Sequence, residues 1–352
     1  MKLECQRVVF TGKAEACLED ASLGHDLGPD QILLQTRWSL ISPETELAIY
    51  TNQRDFGASP HPFPVYPGYA AMGVVQAVGA AVAGFTPGDR VFAISGHASH
   101  TVISPANSFC LRLPDDLRDD FAPFIRMMLI SLASLCRADI QPGEWSGVVG
   151  LGLVGNLAAQ MGRCAGYNVI GAGRSEMRSE VARRCGLRHV LSGEPEEVAA
   201  HVGEITGGRG CQLVLDTTGT SQGLMKAVAV AMAGIGASTA LVGVPWQSDP
   251  TVAATAFMQP AFSKYLTLKG GWEWCLPIYE RPGSPLKMVN NRSSIETNAR
   301  YALELIRNGS VQIEPLITHR YKPGDAQAAY QGLLQSRDGY LGVLFDWNGV
   351  GG

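Results

Sequence analysis

The chain has 352 residues, of which 46% are hydrophobic and 17% charged, and its net charge is −4. That composition builds two domains with substantial cores and excludes a disordered chain. There is no basic field to draw in nucleic acid or an anionic membrane, and no block of like charge.

The start, Met1-Lys2-Leu3-Glu4, is charged where a signal peptide needs an apolar region, so a cytoplasmic protein is expected. The eight cysteines are scattered, without a C-x-x-C pair. This argues against a structural zinc site or a disulfide framework and for free thiols in a reducing compartment.

Residues 1–120 read as a β-rich, barrel-like domain. Val8–Phe10, Gln31–Thr36, Val74–Gly79 and Val91–Ile94 are short β-prone runs between Gly, Pro and Asp turns. Residues 60–67 hold four prolines and read as loop. Phe121 to Arg137 reads as a helix with one apolar face. Residues 121–275 then alternate between strand and helix. Strands are expected at 147–149, 167–173, 189–191, 212–216, 238–244 and 265–270. Helices are expected after the first, at 176–185, 195–206 and 221–232. This alternation is the signature of a doubly wound parallel sheet, giving an α/β fold class. Ala227 to Ser248 carries no charge, but Gly234, Gly236, Gly243 and Pro245 divide it. Helix, glycine turn and buried strand is a better reading than a membrane span. Residues 276–352 hold an irregular proline-rich stretch (277–291), a helix over 294–308, a last helix opened by Pro323-Gly324-Asp325, and a closing strand over 340–347.

The organising motif is Gly150-x-Gly152-x-x-Gly155, between an apolar strand and an alanine-rich helix. The first glycine makes a tight turn, the second lets backbone N–H groups approach a pyrophosphate, and the third lets helix and strand pack closely. Leu153 and Val154 stand within the motif, at the positive end of the helix dipole. The chance alternative is a glycine turn that binds nothing.

Taken together, several stretches resemble the medium-chain dehydrogenase/reductase superfamily. They are Thr45-Glu46-Leu47, Tyr66-Pro67-Gly68, Pro87-Gly88-Asp89-Arg90-Val91, the fingerprint, Leu215-Asp216-Thr217-Thr218-Gly219, Leu241-Val242-Gly243-Val244-Pro245, Ile317-Thr318-His319 and Leu344-Phe345-Asp346. The resemblance implies a Rossmann domain over 121–275 and a GroES-like catalytic domain over 1–120, to which the chain returns from 276. It also implies cofactor contacts at Thr218, Gly243 and Val244 and a homodimer seam near 241–244. Zinc-dependent members follow the Pro67-Gly68 equivalent with a ligand histidine and a glutamate. Here Tyr69 and Ala70 follow. A ligand cysteine in those members falls where this chain has Ser42-Pro43-Glu44, and the four-cysteine lobe is missing after Val91. These side chains do not hold Zn²⁺ as thiolate and imidazole do, so a zinc-free member is expected. The first half looks most like zinc-free relatives such as the bacteriochlorophyllide dehydrogenases, and the Rossmann half like threonine and polyol dehydrogenases.

An NAD site wants an acid about 20 residues past the fingerprint, on the ribose hydroxyls. This chain has Gly173-Arg174-Ser175 there, with Arg178 one turn on. Glycine removes the repulsion, and the arginines and serine suit a 2′-phosphate, so NADP(H) is expected in preference to NAD(H). The competing reading makes Arg174 a solvated surface residue.

Without a metal, a side chain must handle the proton on the reacting oxygen. Tyr69 is the first candidate, against the alternative of a tyrosine that only packs. Thr45 and Glu46 follow, because in the relatives this pair lies under the reacting carbon. Glu46 can equally be a structural carboxylate. His97, with His100 beside it, reads as a loop residue able to relay a proton or simply solvated. Arg126, in an apolar helix, suits an acidic or polyhydroxy substrate or a buried ion pair. Trp272 and Trp274 suit a ring-bearing substrate or an interface.

The expectation is a zinc-independent, NADP-dependent oxidoreductase interconverting a secondary alcohol and a ketone on a polar or cyclic small metabolite. It has no nucleic-acid or membrane partner. The rivals are an NADPH-dependent quinone or enoyl reductase and a non-catalytic NADP-binding sensor.

Overall fold

The computed structural model describes residues 3–24, 27–53, 62–218, 223–244, 254–279 and 293–350. The chain divides into two compact units. One comprises residues 1–126, 299–307 and 316–352; the other comprises 127–298 and 308–315. The chain therefore returns to the first unit at 299, later than residue 276 as expected from the sequence, with 308–315 counted in the second.

The first unit begins with an antiparallel hairpin, β1 (Leu3–Gly12) and β2 (Glu15–Leu23). Its main sheet contains β3 (Ile32–Leu40), β4 (Ala71–Val78), β5 (Arg90–Ala93), β6 (His100–Ile103), β7 (Cys110–Arg112), β14 (Ile317–Tyr321) and β15 (Gly342–Asp346). The order is β14-β15-β3-β4-β5-β7, and β6 also pairs with β3. Ile32 and Leu34 point inward two residues apart and pack with Val75, Val91 and Ile103.

Two helices close the other core of this unit: α1 (Pro43–Tyr50) and α9 (Ala326–Gln335). Phe10, Tyr50 and Tyr330 meet there, with ring centroids 4.8–5.3 Å apart. The sequence reading had no helix at 43–50. Its signals were Pro43 in the first turn, with Glu44 and Glu46 at the positive end of the dipole.

The second unit is a six-stranded parallel sheet in the order β10-β9-β8-β11-β12-β13. The strands are β8 (Trp145–Val149), β9 (Asn168–Ala172), β10 (His189–Leu191), β11 (Cys211–Asp216), β12 (Ala233–Leu241) and β13 (Thr267–Gly270). The helices are α2 (Phe124–Cys136), whose first turn belongs to the first unit, α3 (Leu153–Cys164), α4 (Glu176–Arg184), α5 (Pro195–Thr206), α6 (Gly223–Met232), α7 (Ala254–Ser263) and the first turn of α8 (Ile295–Arg307), whose remainder from Ala299 belongs to the first unit. This is the doubly wound order, and its reversal lies between β8 and β11. Helix α5 illustrates the local logic. Pro195 opens it, Glu194 and Glu197 form a capping box, and Gly207 ends it at φ 63°.

The fold class is as the sequence implied, and some details differ. Of the apolar stretch over 227–248, residues 227–232 lie in α6 and 233–241 in β12, which follows directly, and residues 245–248 lie outside the described residues. The register against β11 shifts between Ala233 and Ser238, where Gly236 has φ 74°. Among the described residues no helix is long and apolar enough to cross a membrane. Helix α7 and strands β2, β6, β7 and β14 were not anticipated. Most of 277–291, together with Gly219, Ser221 and Pro245, lies outside the described residues.

Candidate active site

In the second unit, the glycine turn leaves β8 at the reversal point. Gly150 has φ 88°, and its N–H donates to the Ala172 carbonyl at 2.8 Å. A Cβ on Gly155 would collide with the Gly150 carbonyl oxygen and come within 2.5 Å of the Thr217 hydroxyl. Thr217 Oγ1 donates to the carbonyls of Val149 (2.9 Å) and Gly150 (2.7 Å), tying β11 to the turn. Gly152 is the N-cap of α3, and no side chain caps that end. Leu153 begins the helix, buried, and Val154 is half-buried beside it. A helix N-terminus without a side-chain cap presents backbone N–H groups to an anion.

Asp216, fully buried at the end of β11, organises the rest of this cradle. Its Oδ1 accepts from Thr218 N (3.0 Å) and Thr218 Oγ1 (2.5 Å), and its Oδ2 pairs with Lys226. Its backbone carbonyl accepts from Val242 N (2.8 Å) and Gly243 N (2.9 Å). Thr218 and Gly243 are thus brought together, with Val244 next in the chain and half-buried. In the sequence Asp216 stands within a family-like motif, and neither it nor Lys226 carries a role there. An acid ending an apolar strand was the available signal.

Past β9, Gly173 donates its N–H to the Leu191 carbonyl at 3.0 Å. The three atoms nearest a Cβ there all belong to Leu151, at 3.4–3.5 Å, an ordinary contact distance, so an acid side chain can start there. Arg174 is exposed. Ser175 N-caps α4, and its hydroxyl oxygen is buried without a hydrogen-bond partner. Arg178, in the first turn of α4, holds its guanidinium 3.9 Å from the position of a Gly152 Cβ, against the glycine turn.

In the first unit, Tyr69 follows Gly68 into β4. Its hydroxyl donates to Ser42 Oγ, and Thr45 also hydrogen-bonds it. The Arg126 guanidinium, buried at the start of α2, lies 4.7 Å from the Tyr69 ring centroid. Burial raises the Tyr69 pKa, and Arg126 and the two hydroxyls only partly offset it.

Glu46 and His97 are not open to solvent. They are 1% and 2% exposed, and His97 Nε2 lies 3.0 Å from Glu46 Oε2. This corrects the picture of His97 as a solvated loop residue. His100 opens β6, also buried, and burial lowers its pKa. Thr45 is half-buried on α1. Trp272 and Trp274 are exposed, beyond the end of β13 in the second unit.

The residues around Tyr69 do not suit zinc. Pro43, Tyr69 and Ala70 stand at the positions where the resemblance expects metal-site residues, and a buried arginine lies against the phenol ring. Among the described residues no group of three His, Cys, Asp or Glu side chains is placed to hold a metal ion.

Two family models match: "Alcohol dehydrogenase GroES-like domain" over 28–114 and "Zinc-binding dehydrogenase" over 154–275. The chain is similar to an L-threonine 3-dehydrogenase of Deinococcus radiodurans, 25% identical over 352 residues and covering 91% of each chain. Its fold is similar to galactitol-1-phosphate dehydrogenase of Escherichia coli, with TM-score 0.78 and 21% identity over 97% of this chain and 99% of the other. A Sinorhizobium meliloti protein solved with NADP bound has TM-score 0.77 and 17% identity, again over 97% and 99%. A parallel sheet with its glycine turn and a GroES-like unit define a two-part oxidoreductase. The chain belongs to the medium-chain dehydrogenase/reductase superfamily.

Proposed function

We propose that this protein is a zinc-independent, NADP-preferring oxidoreductase interconverting a secondary alcohol and a ketone on a polar or cyclic small metabolite. The observation that carries the reading is Tyr69. It stands at a metal-ligand position of the zinc enzymes, with its hydroxyl on Ser42 and Arg126 against its ring.

When bound, NADP(H) would supply the hydride-transfer chemistry. The 150–155 turn and the first turn of α3, with Leu153 and Val154, would hold its pyrophosphate. Arg174, Ser175 and Arg178 would take the 2′-phosphate, and the buried, unpartnered Ser175 hydroxyl supports this. Thr218, Gly243 and Val244 would face the nicotinamide end. With substrate bound, Tyr69, kept protonated by burial, would turn its proton from Ser42 Oγ to the substrate carbonyl and give it up as negative charge grows on that oxygen. In the oxidative direction the same oxygen takes the proton back. Ser42 and Thr45 hold the hydroxyl in place. Arg126, Trp272 and Trp274 remain candidates for substrate contact. Trp272 also belongs to an exposed apolar set around the outer strand β13, with Met258, Phe262, Tyr265 and Leu268. A strand edge with no partner strand among the described residues, flanked by such residues, suits pairing with a second copy, so we read the protein as a homodimer. The described cysteines are free thiols, in keeping with a cytoplasmic protein.

The test is NADPH oxidation by untagged protein against a panel of hydroxyketones and cyclic ketones, with a quinone and an enone as contrasts. Turnover with a ketone, falling by about 10²–10³ in Tyr69→Phe, is expected. Turnover confined to the quinone or enone, or stoichiometric zinc in the active protein, would overturn the reading. Tight NADPH binding without turnover on any of these would favour a sensor.

A further inference from the structure

A buried carboxylate costs several kcal/mol unless it is fully paired, so roughly that much must be recovered by its partners. Glu46 uses both of its oxygens inside the first unit. Oε1 accepts from the backbone N–H of Ser42 at 2.8 Å. Ser42 Oγ is the acceptor of the Tyr69 hydroxyl. Oε2 meets His97 Nε2 at 3.0 Å and accepts from the Tyr330 hydroxyl at 2.5 Å. His97 is held from its other side as well. Its Nδ1 lies 2.8 Å from Ser39 Oγ, which also accepts from the Trp347 indole at 2.9 Å.

His97 in turn supports the turn that carries Tyr69. Its backbone N–H donates to the Pro67 carbonyl at 3.0 Å. Its ring lies directly against Gly68, where a Cβ would come within 2.7 Å of ring atom Cδ2. Gly68 has φ 97°, a conformation that L side chains rarely adopt, and it immediately precedes Tyr69. One carboxylate therefore anchors both the acceptor of the phenol proton and the backbone from which the phenol projects.

We infer that Glu46 is a positioning residue for Tyr69, acting through Ser42 on one side and through His97 and Gly68 on the other. Glu46 and His97 are 1% and 2% exposed, with their side-chain polar atoms engaged inside the first unit, so the role assigned to them is to position Tyr69. The inference deepens the function proposed above and rests on its reading of Tyr69. A merely structural carboxylate would stabilise the core without setting the phenol; a positioning residue sets where its hydroxyl points.

The test labels the full-length protein with 3-fluorotyrosine and identifies the Tyr69 resonance by its loss in Tyr69→Phe. The resonances of Tyr167 and Tyr265, in the other unit, are identified in the same way. In Glu46→Gln the Tyr69 resonance is expected to move or broaden while those two stay in place. If Glu46→Gln does not fold, His97→Asn is used, with the same expectation. An unchanged Tyr69 resonance in a folded variant overturns the inference. Kinetics on the best ketone supply the second readout. Because Glu46 acts through Tyr69, adding Glu46→Gln to Tyr69→Phe should leave kcat within about twofold of Tyr69→Phe alone. Independent, multiplying losses overturn the inference. Wild-type turnover in Tyr69→Phe instead overturns the role proposed for Tyr69, and the resonance experiment still decides whether Glu46 sets its position.

Discussion

The ammonium group of Lys226, on α6, pairs with the carboxylate of Asp216 at the buried end of β11. The same carboxylate takes both the N–H and the hydroxyl of Thr218. Removing the cation leaves a buried charge only partly compensated. Lys226→Met is therefore expected to lose about 3 kcal/mol of stability by denaturant titration. The double variant Asp216→Asn, Lys226→Met should recover part of that loss, because no unpaired charge remains.

Gly155→Ala tests the cradle. The added methyl meets the Gly150 carbonyl oxygen and the Thr217 hydroxyl, so the turn must open. Overpacking of this kind costs about 1–3 kcal/mol, so NADPH affinity should fall about tenfold or more in a fluorescence titration. Equal affinity would mean that the turn does not hold the cofactor.

Cofactor choice can be read from the residues past β9. A charge-assisted hydrogen bond contributes about 1.5–3 kcal/mol, so Arg174→Ala and Arg178→Ala should each weaken NADPH about tenfold. NADH affinity should not change. Gly173→Asp, whose new Cβ has its nearest neighbour, Leu151, at 3.4 Å, should fit and shift the preference toward NADH.

Alkaline pH should unfold the first unit through its phenols. Burial raises the pKa of Tyr50, Tyr69 and Tyr330, and burial with the Tyr340 hydrogen bond pushes Tyr321 up to about 12. The ordinary phenol value is 10.0. A group raised in the folded state contributes stability that is full below its unfolded pKa and lost as pH rises through its folded pKa. Thermal midpoints should therefore fall from about pH 10 upward. Tyr69→Phe should fall less steeply there than the wild type.

Much of the second unit was legible because its signals are local. Gly150, Gly152 and Gly155 stand between an apolar strand and an alanine-rich helix, and Pro195 and Gly207 bracket α5. Boundaries there shifted by only a few residues, except in β12, which begins at Ala233, before the glycines, and shifts register across them. The first unit was harder to read. Its strands β6 and β7 have four and three residues, too short for a period-two pattern to stand out. In β14, only Ile317–His319 were quoted, and as a family motif.

Glu46 marks the boundary between the two kinds of knowledge. The amino-acid order alone determined the Gly150-x-Gly152-x-x-Gly155 turn, an acid beside Thr45 and a tyrosine after Gly68, because turn geometry and chemical type are properties of neighbouring residues, whereas the phenol's proton-handling role was an expectation resting on the family resemblance. Only the tertiary structure decided that Glu46 faces His97, Ser42 and Tyr330, which lie up to 284 residues away along the chain. A buried carboxylate takes its role from the donors that replace water around it. Those donors come from the N-cap of α1, the loop before β6 and α9, and folding alone brings them together.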